Sequence, residues 1–310
     1  MRDVNLPVVR SLFLFLSRRK MLRRWMETSS MARPLATRFV AGETLDQALA
    51  VVRKLKSEGI AATLDHLGES VTSLDEAAAA RDVYLRVLDA LLAGGHEGNV
   101  SLKLTQFGLD ISAEQCKANV EQLVRRAAES GGFVRVDMES SEYAQRTLDL
   151  VAELHARHQA VGTVIQSYLF RSKGDIEFLN SRRIRVRLCK GAYLEPASAA
   201  YQAKREVDRN YFELSKLLLD GGVYPALATH DEKLIRQIER YVAERKIARD
   251  AFEFQMLYGI RRDLQRRLVK DGYQLRLYVP FGQAWYPYYM RRLAERPANL
   301  LFVLRNLLRS

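Results

Sequence analysis

The chain is poor in cysteine: Cys116 and Cys189 are the two present among 310 residues, and neither lies in a CxxC pair. That excludes a disulfide framework and points to a reducing compartment. Set between Leu188 and Lys190, Cys189 reads as a small core residue rather than a nucleophile. The five histidines (His66, His96, His155, His158 and His230) form no ligand cluster, so no metal is expected, and His155 with His158 reads as a solvated helix face. A GxGxxG after a strand is missing, which argues against a Rossmann nucleotide domain. Ser-His-Asp and nucleophile-elbow patterns are missing as well. There is no low-complexity tract, no long Gly/Ser/Pro linker and no solenoid repeat, so nothing marks a second globular domain. The apolar run Leu12 to Leu16 is far too short to cross a bilayer, and no small-residue cleavage site follows it.

What the chain does have is 48% hydrophobic residues, enough for a large core, and a net charge of +12. The basic residues are spread through helical segments rather than set in one stripe with interleaved aromatics, so nucleic acid is not an expected partner. Residues 1–38 stand apart, with nine basic residues against two acidic. A basic helix with an apolar face can lie on an anionic membrane surface; packing against the main domain and an organelle transit peptide are the alternatives. The expected division is therefore a basic helical segment, 1–38, and a catalytic domain, 39–310.

Eight short strand-like runs recur along that domain: Ile60 to Asp65, Val100 to Thr105, Phe133 to Glu139, Thr163 to Tyr168, Ile184 to Lys190, Tyr224 to His230, Phe252 to Leu257 and Leu275 to Val279. Helical patterns separate them. Thr44 is placed to cap a first helix, Ser73 precedes an Ala-rich second one, and Gly94-Gly95 ends it. Alternating strands and helices imply parallel pairing through crossovers, and eight units favour an α/β fold of the (β/α)8 barrel type. In that fold the C-terminal strand ends carry the chemistry. The late polar residues are Asp65, Lys103, Asp137, Gln166, Arg187, Lys190, His230, Gln255 and Tyr278. Any one alone could be a solvated strand end or a buried ion pair; their convergence at one rim makes a site.

From about Arg38 to Arg309 the chain resembles the proline dehydrogenase family, nearest to its short single-function bacterial form. The motifs that carry the resemblance are RFVAGETLDQAL, LDHLGE, VSLKLTQFG, VRVDMES, VIQSYL, RVRLCKGAYLEP, LATHD, FEFQMLYGI, RLYVPFG and YYMRRLAER. It implies a distorted (β/α)8 barrel with extra N-terminal helices and noncovalent FAD. The implied reaction, the first step of proline catabolism to glutamate, oxidises L-proline to 1-pyrroline-5-carboxylate, with hydride passing from proline C5 to the flavin N5 and electrons to a membrane quinone. It further implies a cytoplasmic protein, peripheral on the inner face of the membrane. No fused aldehyde dehydrogenase or DNA-binding domain is expected, so a separate pyrroline-5-carboxylate dehydrogenase would take the product.

By the same resemblance Arg291 and Arg292 bind the proline carboxylate, Glu295 orients one of them, and Lys103 adds a third cation. Outside this context RRLAER is simply a charged helix face. Asp137, costly to bury alone, pairs with Lys103. Tyr278 and Leu257 pack on the proline ring, Tyr288 and Tyr193 close the pocket, and a tyrosine at 278 leaves little room for a ring hydroxyl. For the flavin, Arg187 approaches the N5 and N1 region, Gln166 reaches the ring edge, and Lys190, Gly191 and Ala192 admit close backbone approach. Thr229 and His230 contact the ribityl, pyrophosphate or adenine portion. Two departures from the family pattern stand out: Asp231 where Asn is frequent, and Leu194 where an aromatic often follows GAY. The residues alone also admit a flavin-free lyase or aldolase with Lys103 or Lys190 as a Schiff-base amine, and a noncatalytic quinone- or lipid-associated scaffold resting on the basic segment.

Overall fold

The computed structural model describes residues 39–68, 70–286 and 288–290. The expected basic helical segment 1–38 and the residues Arg291, Arg292 and Glu295 lie outside the described residues. Eight parallel strands close into a barrel in sequence order, β1 pairing with β8 as well as with β2. They are β1 (Ala61–His66), β2 (Asn99–Lys103), β3 (Phe133–Asp137), β4 (Val161–Gln166), β5 (Val186–Cys189), β6 (Ala226–Ala228), β7 (Glu253–Leu257) and β8 (Gln274–Phe281). All eight expected strands are present with shifted ends. The second stops at Lys103 because the chain turns there into a short 3-10 helix, Leu104–Phe107, closed by Gly108 at φ 88°.

Helix α1 (Leu45–Ser57) opens on Thr44, whose side chain accepts from the Gln47 amide while Gln47 reaches back, a reciprocal cap. Helix α2 (Leu74–Ala93) starts at Ser73 and stops at Gly94, as the residues predict. Then come α3 (Ala113–Glu129), α4 (Ala144–His158), α5 (Ser172–Ser181), α6 (Lys204–Gly221), α7 (Glu232–Glu244) and α8 (Arg262–Lys270). The expected solvated pair on α4 is corrected: both histidines are half-buried, with His155 Nδ1 3.2 Å from the Val161 carbonyl and His158 Nε2 3.0 Å from Glu121.

Strand alternation sorts the side chains into two shells. Leu64, Val100, Leu102, Val134, Val136, Leu188, Leu227, Phe254, Leu275 and Leu277 form part of the continuous apolar core. The intervening residues, Thr63, Ser101, Arg135, Arg187, Glu253, Gln255 and Arg276, are polar and equally buried. Arg187 of β5 bonds to residues on β2, β3 and β7, which requires all of these side chains to point to the barrel axis. Barrel interiors are ordinarily filled by branched apolar residues; this one is threaded by charge. Among the described residues, no helix is long and apolar enough to cross a membrane.

Candidate active site

The polar axis reaches the C-terminal mouth at Asp137, the last residue of β3. Its Oδ1 accepts from Arg187 at 2.9 Å and its Oδ2 from the Tyr278 hydroxyl at 2.9 Å. Lys103, the Cα partner of Asp137 on β2, has its ammonium 3.9 Å from Asp137 and 3.7 Å from Asp65. The expected Lys103–Asp137 pair is thus present, but the shorter bonds of Asp137 go to Arg187 and Tyr278. Burial pushes the Asp137 carboxyl up from the ordinary aspartate value, against the opposing pull of Arg187 and Lys103. The Tyr278 ring lies under the Arg187 guanidinium, 5.3 Å from its centroid, and burial raises the phenol well above its usual range. Leu257 is the Cα partner of Tyr278, so the two share one edge of the mouth.

Arg187 is the hub. Its Nε donates to Gln255 at 2.5 Å, one terminal nitrogen to Asp137 at 2.9 Å and the other to Ser101 at 3.0 Å. A guanidinium carries five N–H donors, so two are left without a protein partner among the described residues.

The expected cofactor residues fall on the neighbouring arc. Gln166, buried at the end of β4, donates to the Glu139 carbonyl at 2.8 Å. Gly191 follows β5 at φ 119°, and a Cβ there would run into the Tyr168 ring. The tight neighbour that demands glycine is therefore an aromatic ring of this chain. Ala192 is exposed and Tyr193 half-buried in the irregular loop that follows, and Leu194 is exposed. The Thr229 hydroxyl accepts from the Asp231 amide, and His230 Nε2 accepts from the Leu257 amide at 2.9 Å, which leaves the proton of a neutral ring on Nδ1. Tyr288 is buried in the helical segment after β8.

Lys190 is held by two carboxylates, Asp208 at 2.5 Å and Asp231 at 2.9 Å, and Lys204 bonds to the same pair. Aspartate at 231 thus supplies a full counter-charge and also caps α7 by accepting from Lys233. Burial alone would raise its carboxyl, yet Lys190 and then Lys204 hold it down at about 2, from an ordinary 3.8. A folded pKa below the unfolded one gives stability that is present above about pH 4 and lost as pH falls toward 2. Urea unfolding across that window is expected to show Asp231→Asn losing stability less steeply than wild type, the difference being at most about 1.4 kcal/mol per pH unit, one proton's worth. Equal slopes would place the titration elsewhere.

Both candidate Schiff-base lysines therefore sit among carboxylates, rather than in the apolar or cation-lined surroundings that suit a nucleophilic amine. Among the described residues no cluster of His, Cys, Asp and Glu could hold a metal ion.

Several participants have no role assigned from the sequence. Ser101 shares a strand face with Lys103, a relation that two-residue alternation signals. Gln255 stands out only as a late polar residue. Tyr84, on α2, has its hydroxyl 2.7 Å from the Ser101 carbonyl and 3.2 Å from Asp65, with the His66 amide donating to it at 3.1 Å. No local pattern links a helix tyrosine to that strand end.

Comparison with known proteins bears on the same residues. The proline dehydrogenase family model matches residues 48–305. The proline dehydrogenase of Deinococcus radiodurans is 44% identical over 283 residues, covering 89% of this chain and 91% of that protein. Proline dehydrogenase 1 of Bacillus subtilis strain 168 is 40% identical over 303 residues, covering 98% of this chain and all (100%) of its own. The crystal structure of proline utilization A from Bdellovibrio bacteriovorus, inactivated by N-propargylglycine, superposes with a TM-score of 0.79 at 28% identity, over 94% of this chain and 35% of that one. A match of this extent along the chain, on a closed barrel with charge gathered at its C-terminal mouth, makes this chain a member of the proline dehydrogenase family.

Proposed function

We propose that this chain oxidises L-proline to 1-pyrroline-5-carboxylate, FAD when bound supplying at N5 the acceptor for the hydride from proline C5 and a membrane quinone taking the electrons. Dehydrogenation of proline at the first step of its breakdown follows from family membership; cofactor, acceptor and product are the finer part of the proposal. The observation that carries it is Arg187, a buried guanidinium fixed on three sides at the barrel mouth with two N–H donors that have no partner among the described residues. A flavin ring edge, which offers acceptors only at certain atoms, fits such a donor set. Gln166 would add to it, while Lys190, Gly191, Ala192, Thr229 and His230 would hold the rest of the cofactor.

On the substrate side, Lys103 would attract the proline carboxylate together with Arg291 and Arg292, with Glu295 orienting one arginine. Tyr278 and Leu257 would form the wall against the ring, and Tyr288 with Tyr193 would close it. Asp137 ties the two sides together, since it touches Arg187, Tyr278 and Lys103. We place this chemistry in the domain 39–310 of a cytoplasmic protein, with the basic segment 1–38 giving peripheral contact to anionic membrane where the quinone resides. The product would pass to a separate dehydrogenase.

Anaerobic addition of L-proline to the FAD-loaded protein, followed by flavin absorbance, tests the proposal. Bleaching by the L but not the D isomer is expected. A flavin that stays oxidised would refute the substrate assignment, and a protein that takes up no flavin would refute the cofactor. Tyr278→Ser is further expected to raise kcat/KM for 4-hydroxyproline relative to proline by about 10-fold, the usual worth of relieving one hydroxyl-sized clash in a pocket. An unchanged ratio would remove Tyr278 from the substrate wall.

A further inference from the structure

Behind Arg187 a second row of charge runs down the barrel axis. Gln255 on β7 is buried, its Oε1 accepting from Arg187 Nε at 2.5 Å and its Nε2 donating to Glu253 Oε1. Glu253 accepts from Arg276 Nε at 3.0 and 3.1 Å, and Arg276 in turn donates to the Ala62 carbonyl at 2.9 Å and to Glu97 at 2.7 Å. The amide of Gln255 has one permitted orientation, because a guanidinium only donates and an ionised carboxylate only accepts. Ser101 and Asp137 hold the two terminal nitrogens of Arg187; the Nε bond adds the third point that fixes the roll of the plane. Being neutral, the amide does so without cancelling the charge of Arg187.

We propose that Gln255 is a positioning residue for Arg187: it transmits the fixed Glu253–Arg276 pair deep in the barrel to the orientation of the guanidinium at the mouth, and so sets the field that Arg187 places on a bound flavin. The inference rests on the assignment of Arg187 to the cofactor. Axial and edge partners of a cofactor tune its electronics, and groups that merely orient such partners cost about 10- to 100-fold when removed.

The test uses FAD-loaded wild type, Gln255→Met and Gln255→Glu, with flavin midpoint potential measured across pH beside the rate of anaerobic bleaching by L-proline. Gln255→Met, which keeps the volume and loses both bonds, is expected to shift the potential and slow bleaching about 10-fold or more. Gln255→Glu adds a titrating group. When protonated, the introduced carboxyl can donate to Glu253 and accept from Arg187 as the amide does, so potential and rate return to wild type. When ionised, it sits beside Glu253, faces Arg187 from β5, and has Arg276 and Arg135 behind Glu253. The added negative charge then lowers the potential in a pH step that wild type lacks. Wild-type potentials at every pH in both variants, with only thermal stability reduced, would make Gln255 a packing residue and overturn the inference. Should Gln255→Met not fold, Gln255→Leu, which also loses both bonds and adds no charge, takes its place with the same two outcomes. Wild type that takes up no flavin, or is not bleached, would instead overturn the cofactor assignment and this inference with it.

Discussion

Replacing Asp137 by alanine is expected to destabilise the protein by about 3 kcal/mol in urea unfolding and to slow proline oxidation about 100-fold. Arg187 and Lys103 have side chains 7% and 13% exposed, so neither can turn to water when the carboxylate is lost. Breaking a buried pair costs about 3–5 kcal/mol because the remaining charge is stranded. The lower end applies here, since Lys103 keeps Asp65 at 3.7 Å and Arg187 keeps Gln255 and Ser101. Asp137→Asn keeps an acceptor in place and is expected to lose about half as much. The rate falls because Arg187 loses one of three anchors and Tyr278 loses its only hydrogen-bond acceptor among the described residues. A variant as stable as wild type within about 0.5 kcal/mol would mean that Arg187 swings to Asp65, whose Oδ2 has no partner among the described residues.

The same residues show what could be read from the sequence and what could not. The eight strands were legible because each is a short apolar run bounded by helical pattern, and Thr44, Ser73 and Gly94 carry their capping chemistry locally. The late polar residues Lys103, Asp137, Arg187 and Tyr278 were legible one at a time, and the closed barrel brings them together. Strand ends were less legible: Leu104 and Thr105 continue an apolar pattern, yet the chain has already turned into a 3-10 helix that presents the Thr105 amide and hydroxyl to Glu139. Partner choice was illegible. Asp137 pairs most closely with Arg187, 50 positions along the chain, because closure and tilt decide which axis-facing groups meet, and Lys190 pairs with Asp208 of α6 and Asp231 at the start of α7, because the outer helices pack back over the strand ends. His155 and His158 misled for a related reason. They sit at the end of α4, where the chain returning to β4 and the neighbouring α3 cover them.

Arg276→Met is expected to cost at least as much as Asp137→Ala, about 3–5 kcal/mol, while leaving the mouth untouched in its first contacts. Glu253 is 3% exposed, and Arg276 is the cation bonded to it. Without that guanidinium the carboxylate keeps, among the described residues, the Gln255 amide as its hydrogen-bond donor with Arg135 as the remaining nearby cation, and Glu97, itself largely exposed, turns to water. The double substitution Arg276→Met with Glu253→Met separates stability from function. Removing both members of a buried pair in favour of apolar groups of similar size is often neutral or stabilising, so urea unfolding is expected to return to within about 1 kcal/mol of wild type. Proline oxidation is not expected to return with it, because Gln255 has then lost the carboxylate that anchors the far end of its amide, and the oxygen that Arg187 donates to is no longer held in place. Recovery of both stability and rate in the double variant would show that the pair serves packing alone and that Ser101 and Asp137 suffice to aim the guanidinium. Recovery of stability with a rate still depressed would show why a barrel of this kind keeps ion pairs where branched apolar residues would pack at lower desolvation cost: the axis is a rigid polar column whose top is Arg187.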